Sequence, residues 1–149
     1  RLVDIARLEA QRHRMAYAES MSLEAMAKEL CDLMQVYTQY GGVRPFGVTL
    51  LVAGVDDKPR LYEAEPSGAL TGYKACAIGS GRKEVEEFFE KEYKETLGLD
   101  AGISLALKAL RKSGDLKLEA MNVEIAICPT KTKVFEVLTT KEVEKHLKA

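Results

Sequence analysis

The sequence predicts an α+β fold in which helices and strands are segregated along the chain. Helical patterns occur in pairs, and strand patterns follow one another through short turns instead of alternating with single helices. The predicted order is two helices, four strands, two helices, two strands and a last helix. Helix pairs before and after the strands favour two sheets between two helical layers, a four-layer αββα sandwich. Six strands are too few to complete both sheets, so we expect an incomplete sandwich.

Two amphipathic helices open the chain, and a short serine-containing segment separates them. The first helix carries apolar residues from Leu2 to Ala16. Ser22 is of a residue type that caps helix N-termini, and Glu24 lies in the first turn, where a negative charge is favourable. The second helix is predicted to end at Tyr40. Its apolar residues recur at three- and four-residue spacings: Leu23, Met26, Ala27, Leu30, Met34 and Tyr37.

The most informative segment follows this helix and is Gln39-Tyr40-Gly41-Gly42-Val43-Arg44-Pro45-Phe46-Gly47-Val48. Gly41 and Gly42 can adopt positive φ angles, so they stop the helix and turn the chain. The proline that follows keeps Arg44 out of the helical region. A rigid loop of this kind holds Tyr40, Val43 and Arg44 in one place, as a pore rim or a partner contact requires. The same segment is compatible with a well-ordered connection from a helix to a strand.

A run of strand patterns follows the loop. Residues 46–55 form a continuous β-branched and apolar run, which is typical of a strand covered on both faces. The next three strands are shorter and are separated by residues that favour turns. The predicted strands comprise residues 46–55, 60–64, 69–71 and 73–78, with turns at 56–59 and 65–68. This succession predicts an antiparallel meander.

The rest of the chain is predicted to contain three helices and two strands. The helices comprise residues 82–93, 101–112 and 141–148, and the strands comprise residues 123–127 and 134–138. Ser80 lies near the N-cap of the first of these helices, and Thr140 is predicted to cap the last. Apolar and polar residues alternate in the first of the two strands, as expected for a half-buried strand.

Composition and charge exclude several classes of function. The chain has 149 residues, the length of one domain, and its 46% apolar and 30% charged residues are ordinary for a globular protein. The net charge of -1 argues against a nucleic-acid binder. The longest apolar run, residues 48–55, is too short to cross a membrane. We therefore expect neither nucleic acid nor a membrane among the partners.

No pattern in the sequence predicts a catalytic, cofactor or metal site. Cys31, Cys76 and Cys128 are odd in number and widely spaced, which favours reduced thiols in the cytoplasm over disulfides or zinc ligands. Both histidines are isolated, and we expect them at the surface. The motif Gly79-Ser80-Gly81 lacks the G-x-G-x-x-G form of nucleotide-binding loops. The carboxylates of the third helix have the spacing of a solvated helix face.

Several segments, in order along the chain, resemble proteasome α-type subunits, which form the outer rings of that barrel-shaped protease. The loop after the second helix resembles the corresponding family segment, and so does the helix end before it, Leu33-Met34-Gln35-Val36-Tyr37-Thr38-Gln39-Tyr40. The other similar segments are Pro59-Arg60-Leu61-Tyr62, Glu65-Pro66-Ser67-Gly68, Tyr73-Lys74-Ala75-Cys76-Ala77-Ile78-Gly79-Ser80-Gly81, Phe88-Phe89-Glu90-Lys91-Glu92-Tyr93 and Asn122-Val123-Glu124-Ile125-Ala126-Ile127. The resemblance covers essentially the whole chain.

The resemblance implies the sandwich fold of the N-terminal-nucleophile hydrolases and assembly into seven-membered α rings that stack on β rings. It implies that the loop of Tyr40, Gly41, Gly42, Val43 and Arg44 lines the axial entrance. The implied partners are other α subunits, β subunits, ATPase regulatory or activator complexes, and unfolded protein substrates. The implied location is the cytoplasm, and also the nucleus if the source is eukaryotic. The resemblance implies no cofactor and no metal.

The sequence departs from the catalytic members of that family. Catalytic β subunits carry their nucleophilic threonine in the front part of the chain, whereas this chain opens at Arg1 inside a helical pattern. They also have an Arg-Asp-x-x-Ser-Gly pattern near the end of the fourth helix, where this chain has Arg111-Lys112-Ser113-Gly114-Asp115. We therefore expect a non-catalytic α-type subunit that lacks its front portion. Two alternatives stay open, namely a β-type threonine peptidase subunit whose nucleophile lies in the missing part, and a free-standing, non-enzymatic interaction domain.

Overall fold

The computed structural model describes residues 1–114 and 117–148, and within them the chain combines helices with small sheets. It forms two compact units, the first Arg1–Lys74 and the second beginning at Ala75. The mixture of helices and strands confirms the α+β class, while the single domain predicted from length stays a prediction. The elements are α1 (Leu2–Tyr17), α2 (Leu23–Gln39), β1 (Leu50–Val55), β2 (Pro59–Ala64), β3 (Leu70–Tyr73), α3 (Arg82–Glu92), α4 (Leu99–Lys112), β4 (Ala126–Ile127), β5 (Glu136–Val137) and α5 (Thr140–Lys148).

In the first unit, α2 packs against a three-stranded antiparallel sheet. Strand β1 pairs with β2 from Leu50 opposite Ala64 to Val55 opposite Pro59, and β3 pairs with the other edge of β2. Side chains from α1, α2 and the sheet form one buried cluster, which consists of Leu2, Leu30, Cys31, Met34 and Ala64. The core of this unit therefore lies between α2 and one face of the sheet.

The helix predictions for the first unit are confirmed. Both helices lie where the apolar spacings place them. Ser22 caps α2, since its Oγ accepts a hydrogen bond from Ala25 N at 3.2 Å. The predicted last residue of the second helix, Tyr40, is its C-cap and has extended backbone angles.

Three strand predictions for the first unit are wrong in extent. The strand predicted at 46–55 is regular only from Leu50, because β2 ends at the residue opposite and the chain turns away there. It is not covered on both faces, since Leu51 keeps 39% of its surface exposed. The strands predicted at 69–71 and 73–78 are one strand that ends at Tyr73. In this register Lys74 would lie opposite Arg60 and Ala75 opposite Pro59, the first residue of β2, which has no backbone N–H to donate.

The second unit has a hydrophobic core of its own. Helix α4 contributes Ile103 and Leu107 to a buried cluster, α5 contributes Val143, and the segment before β4 contributes Val123. Strands β4 and β5 pair antiparallel. The pairing continues for one more hydrogen bond, which Leu138 N donates to the carbonyl of residue 125 at 2.8 Å.

These two strands are shorter than the sequence predicts. The predicted ranges, 123–127 and 134–138, reduce to two regular residues in each strand. A tight loop lies directly before β5, because Lys133 has a φ of 55° and its N–H donates to Pro129 O at 2.8 Å. The backbone therefore enters the ladder only after this loop.

Of the two cap predictions for the second unit, one is confirmed and one is wrong by one residue. Gly81 is the N-cap of α3, so Ser80 lies next to the cap, as predicted. At the start of α5, the capping contacts belong to Thr139 rather than Thr140. Glu142 Oε2 accepts hydrogen bonds from Thr139 N at 2.7 Å and from Thr139 Oγ1 at 2.6 Å. This is half of a capping box, in which the third helical residue reaches back to the capping residue.

Gly81 also marks the closest approach of two helix ends in the second unit. Its φ is +73°, and a Cβ at this position would lie 2.5 Å from Ser113 O and 2.8 Å from Ser113 Cα. Ser113 is the C-cap of α4. Because the neighbouring atoms belong to backbone, they cannot move aside as a flexible side chain does. Only glycine meets both the conformational and the steric requirement.

Gly81→Ala should destabilise the chain by about 2–4 kcal/mol. The alanine would have to adopt a left-handed backbone conformation, and its Cβ would overlap the backbone of Ser113. Gly102→Ala is the matched control, because Gly102 lies within α4 and a Cβ there meets no heavy atom within 4 Å in the described residues. The control should stabilise the chain by about 0.5–1 kcal/mol. Urea denaturation measures both changes. Equal effects of the two substitutions would contradict the close approach of the helix ends.

In the first unit, Asp56 ties the turn between β1 and β2 to the start of α2. Its Oδ2 accepts a hydrogen bond from Leu23 N at 3.2 Å, and its Oδ1 accepts bonds from Arg60 Nε and Asp57 N, each at 2.9 Å. Arg60 also donates to Asp57 Oδ1 at 2.9 Å and to the Tyr62 hydroxyl at 3.4 Å. Burial acts to raise the pKa of Asp56, but the hydrogen bonds involving Asp57, Arg60 and Leu23 outweigh it and hold this pKa well below its usual range.

Asp56→Asn should lower stability at neutral pH and flatten the acid limb of the pH–stability curve. Because the pKa of Asp56 is lower in the folded than in the unfolded chain, its ionised form contributes stability above the unfolded-state pKa. That contribution is lost as the pH falls towards the folded-state pKa. The unmodified chain should therefore lose more stability than the variant between about pH 5 and about pH 2. Urea denaturation across this range measures the difference.

The control for this substitution is Glu29→Gln, which neutralises an exposed carboxylate on the same α2. It should leave the acid limb of the curve unchanged, because an exposed carboxylate away from such a network contributes little. Parallel pH–stability curves for the unmodified chain and Asp56→Asn would contradict the role of this turn.

Candidate functional site

The predicted site residues form one exposed loop after α2. Helix α2 ends because Tyr40 leaves the helical region, with φ -88° and ψ 127°. Tyr40 is 67% exposed and Val43 is 44% exposed, and Gly41, Gly42 and Arg44 are exposed as well. The structure thus brings all the predicted residues together on one surface segment of the first unit.

The two glycines have different roles in this loop. Gly42 takes the left-handed conformation, with φ +85°, whereas Gly41 does not have a positive φ. A Cβ at either position would meet no heavy atom within 4 Å among the described residues beyond its chain neighbours. The space around the loop is open, so backbone conformation rather than packing favours glycine at position 42.

Two aromatic residues lie at the ends of the loop and contact each other. The ring of Tyr37, in the last turn of α2, has its centroid 4.7 Å from that of Phe46, which follows the loop. Arg1 Nη2 donates a hydrogen bond to the Tyr37 hydroxyl at 2.7 Å, and the guanidinium carbon lies 5.6 Å from the centre of the Tyr37 ring. Phe46 also packs against the buried cluster of the first unit.

Sequence reasoning missed this aromatic contact. It placed Tyr37 on the apolar face of the second helix and Phe46 at the start of a strand. The available signal was an aromatic residue on each side of the paired glycines, close enough in sequence for the loop to bring them together.

The described residues contain no group of three or more His, Cys, Asp or Glu side chains placed to hold a metal ion. Cys31 is buried, and its Sγ donates to Ala69 O at 3.5 Å. Burial raises the pKa of the Cys31 thiol, and the charge of Asp32 acts in the same direction. A thiol in this setting is protonated at neutral pH and is a poor nucleophile.

Both histidines predicted at the surface are half-buried. His13 keeps 26% of its side chain exposed, and its ring packs at a tilt of 44° against that of Tyr17, with centroids 4.7 Å apart. Its Nε2 lies 4.0 Å from Glu19 Oε1. His146 lies on α5 and is also half-buried.

The stretch Arg111-Lys112-Ser113-Gly114-Asp115 was compared above with the pattern of catalytic β subunits. Its last residue, Asp115, lies outside the described residues.

Within residues 1–114 and 117–148, no helix combines the length and the apolar composition of a membrane-spanning helix.

Comparison with known proteins gives a consistent result. The family model described as proteasome subunit matches residues 1–128. A protein of Pyrococcus horikoshii named proteasome subunit alpha is 51% identical over 146 residues, which are 98% of this chain and 56% of that protein. The protein named proteasome subunit alpha from Methanosarcina acetivorans is 50% identical over 147 residues, which are 98% of this chain and 60% of that protein. The one from Methanocaldococcus jannaschii is 51% identical over 146 residues, 97% of this chain and 55% of that protein.

The chain thus spans 55–60% of the length of these relatives. The resemblance to α-type subunits stated from the motifs is confirmed. The β-type alternative is not favoured, because these relatives carry the α name. Since the family model covers most of the chain, the chain belongs to the proteasome subunit family, and its relatives there are α subunits.

Proposed function

We propose that this chain is the greater part of a non-catalytic α-ring subunit of the proteasome core particle. In that role it forms the axial entrance and the scaffold for proteolytic β rings in ATP-dependent protein degradation. The observation that carries the proposal is the 50–51% identity to proteins named proteasome subunit alpha, along 97–98% of the chain.

The complete subunit is proposed to have the four-layer αββα sandwich of the N-terminal-nucleophile hydrolases. In the described residues, one sheet has three strands and the other has two, which is fewer than a sandwich layer usually has. β1 and β3 are the edges of the larger sheet, and sheet edges are where further strands add. The 40–45% of the relatives' length that this chain does not cover can provide such strands.

The loop from Tyr40 to Arg44 is proposed to line the axial entrance of a seven-membered α ring. Its exposure supports this role, because Tyr40 and Val43 present apolar surface and Arg44 adds a positive charge. The open space around both glycines leaves room for a polypeptide close to the backbone. Unfolded protein chains are the proposed substrates that pass this loop.

The proposed partners are other α subunits, β subunits and ATPase regulatory or activator complexes, in the cytoplasm. Helix α1 supports an assembly role, because several of its large apolar side chains are exposed: Val3, Leu8, Met15 and Tyr17. Exposed apolar side chains on one element are typical of protein–protein contacts. The absence of catalysis is supported by the stretch Arg111-Lys112-Ser113-Gly114, which differs from the pattern of catalytic β subunits.

Val43→Arg should change the rate at which an assembled particle degrades an unfolded protein, because it places a long charged side chain on the entrance loop. We expect at least about a twofold change, with no change for a short peptide, which needs less space. Val36→Arg is the matched control, since Val36 on α2 is also 44% exposed. The particle is built from the complete subunit, extended to the length of its relatives, together with β subunits. Equal rates for Val43→Arg and the unmodified particle would contradict the entrance role.

The complete subunit should hydrolyse no fluorogenic peptide when it is prepared without β subunits, because the proposed role is structural. The measurement compares the subunit alone with the same subunit assembled with β subunits, which is the positive control. Activity of the subunit alone, retained after further purification, would instead support the peptidase alternative.

A further inference from the structure

The loop proposed to line the entrance is tied to the body of the first unit at its ends. On its N-terminal side stands Tyr37, and on its C-terminal side stands Phe46, with ring centroids 4.7 Å apart and planes inclined by 54°. An aromatic pair at this distance attracts beyond simple burial. The contact brings the two ends of the loop together, so the segment between Tyr37 and Phe46 has only a short distance to span.

Arg1 adds a third element to this contact. Its Nη2 donates to the Tyr37 hydroxyl at 2.7 Å, and its guanidinium carbon lies 5.6 Å from the ring centroid. The hydrogen bond restrains the Tyr37 ring from the side of α1, while Phe46 contacts the ring from the side of the loop. The Tyr37 ring is thereby contacted from two directions. Phe46 is half-buried, whereas Arg1 is the N-cap of α1 and its side chain is 71% exposed.

The loop between these anchors makes few contacts of its own. Its residues are exposed, and no heavy atom of the described chain, other than direct neighbours, would meet a Cβ at Gly41 or Gly42. Paired glycines make the backbone permissive. The conformation of the loop is therefore set by its ends rather than by packing along its length.

We propose that Arg1, Tyr37 and Phe46 form a clamp whose function is to position the loop from Tyr40 to Arg44 and so to set the width of the entrance. These are positioning residues, because they act through the loop and need not touch the substrate. The inference rests on the proposed function of the loop. The ring contact between Tyr37 and Phe46 is the main element of the clamp, and the Arg1 hydrogen bond orients the Tyr37 ring.

The clamp is tested first by the mobility of a nitroxide spin label attached at Val43→Cys in the complete subunit. Cys76→Ser and Cys128→Ser remove the more accessible thiols, and Cys31 is retained because it is 1% exposed. Tyr37→Ala and Phe46→Ala should shorten the rotational correlation time of the label by about two- to fivefold, because the loop is then free to move on the nanosecond scale. Tyr37→Phe keeps the ring contact but removes the hydroxyl to which Arg1 donates, so it should shorten the correlation time less than Tyr37→Ala does.

Two controls separate positioning from general destabilisation. A label at Met15→Cys, on an 86% exposed residue of α1, should keep its mobility in every clamp variant. Tyr17→Ala removes a 68% exposed aromatic residue outside the clamp and should leave the label at position 43 unchanged. If Phe46→Ala also mobilises the label at position 15, the milder Phe46→Leu is used, and it should mobilise position 43 alone. Unchanged mobility at position 43 in Tyr37→Ala and in the Phe46 variant would overturn the clamp.

The second measurement is the ratio of unfolded-protein to short-peptide degradation by the assembled particle. Tyr37→Ala and the Phe46 variant should change this ratio by about twofold or more, because the loop geometry selects the larger substrate. Tyr37→Phe keeps the ring contact and should change the ratio less than Tyr37→Ala does. If Val43→Arg changes the ratio and the clamp variants do not, the clamp is overturned while the entrance function stands. If Val43→Arg has no effect either, the proposed entrance function fails, and the role of the clamp at the entrance fails with it.

Discussion

The packing of α2 on the three-stranded sheet is the interaction on which the rest of the first unit depends. The buried stripe of this helix consists of Ala27, Leu30, Cys31 and Met34, none of them more than 4% exposed. Burying a leucine or methionine side chain contributes about 1.5–3 kcal/mol. Because Ala64 of β2 lies in the same cluster, the helix is fixed against the central strand rather than an edge. The segments attached to the two ends of α2 take their positions from this packing.

The two ends of α2 are held by different kinds of interaction. At the start, Asp56 accepts a hydrogen bond from Leu23 N, one of the N–H groups that the helix itself cannot satisfy. A negative charge is also favourable there, near the positive end of the helix dipole. The last turn contains no basic residue that could interact with the opposite end of the dipole. Aromatic packing between Tyr37 and Phe46 holds that end instead.

The helices could be predicted from the sequence to within a few residues because their signals are local. Apolar spacing and the Ser22 cap lie within the helix that they define. The ends of the strands could not be predicted in this way, because the end of a strand depends on its partner strand. Residues 46–49 are as suited to a strand as those that follow, but β2 ends at Ala64, opposite Leu50. The capping error at α5 has a different cause, since the contacts between Thr139 and Glu142 are local and their spacing is that of a capping box.

The candidate site shows the same division between local and distant determinants. The paired glycines and the adjacent proline are local signals, and they were sufficient to predict that Tyr40 to Arg44 share one exposed loop. The hydrogen bond from Arg1 to Tyr37 joins residues separated by 36 positions, so no spacing rule could indicate it.

An exposed loop with two glycines has little to restrain it along its own length, whereas the entrance role proposed for it requires a rim of defined width. The first unit reconciles these requirements by fixing the base of the loop and leaving its tip free of packing. Tyr37 takes its position from the buried face of α2, and Phe46 from the cluster beneath the sheet. If the loop has the entrance role proposed above, the width at its tip depends on a core that the substrate does not touch. On the same proposal, mutations in that core change what passes the loop without altering any residue of the loop itself.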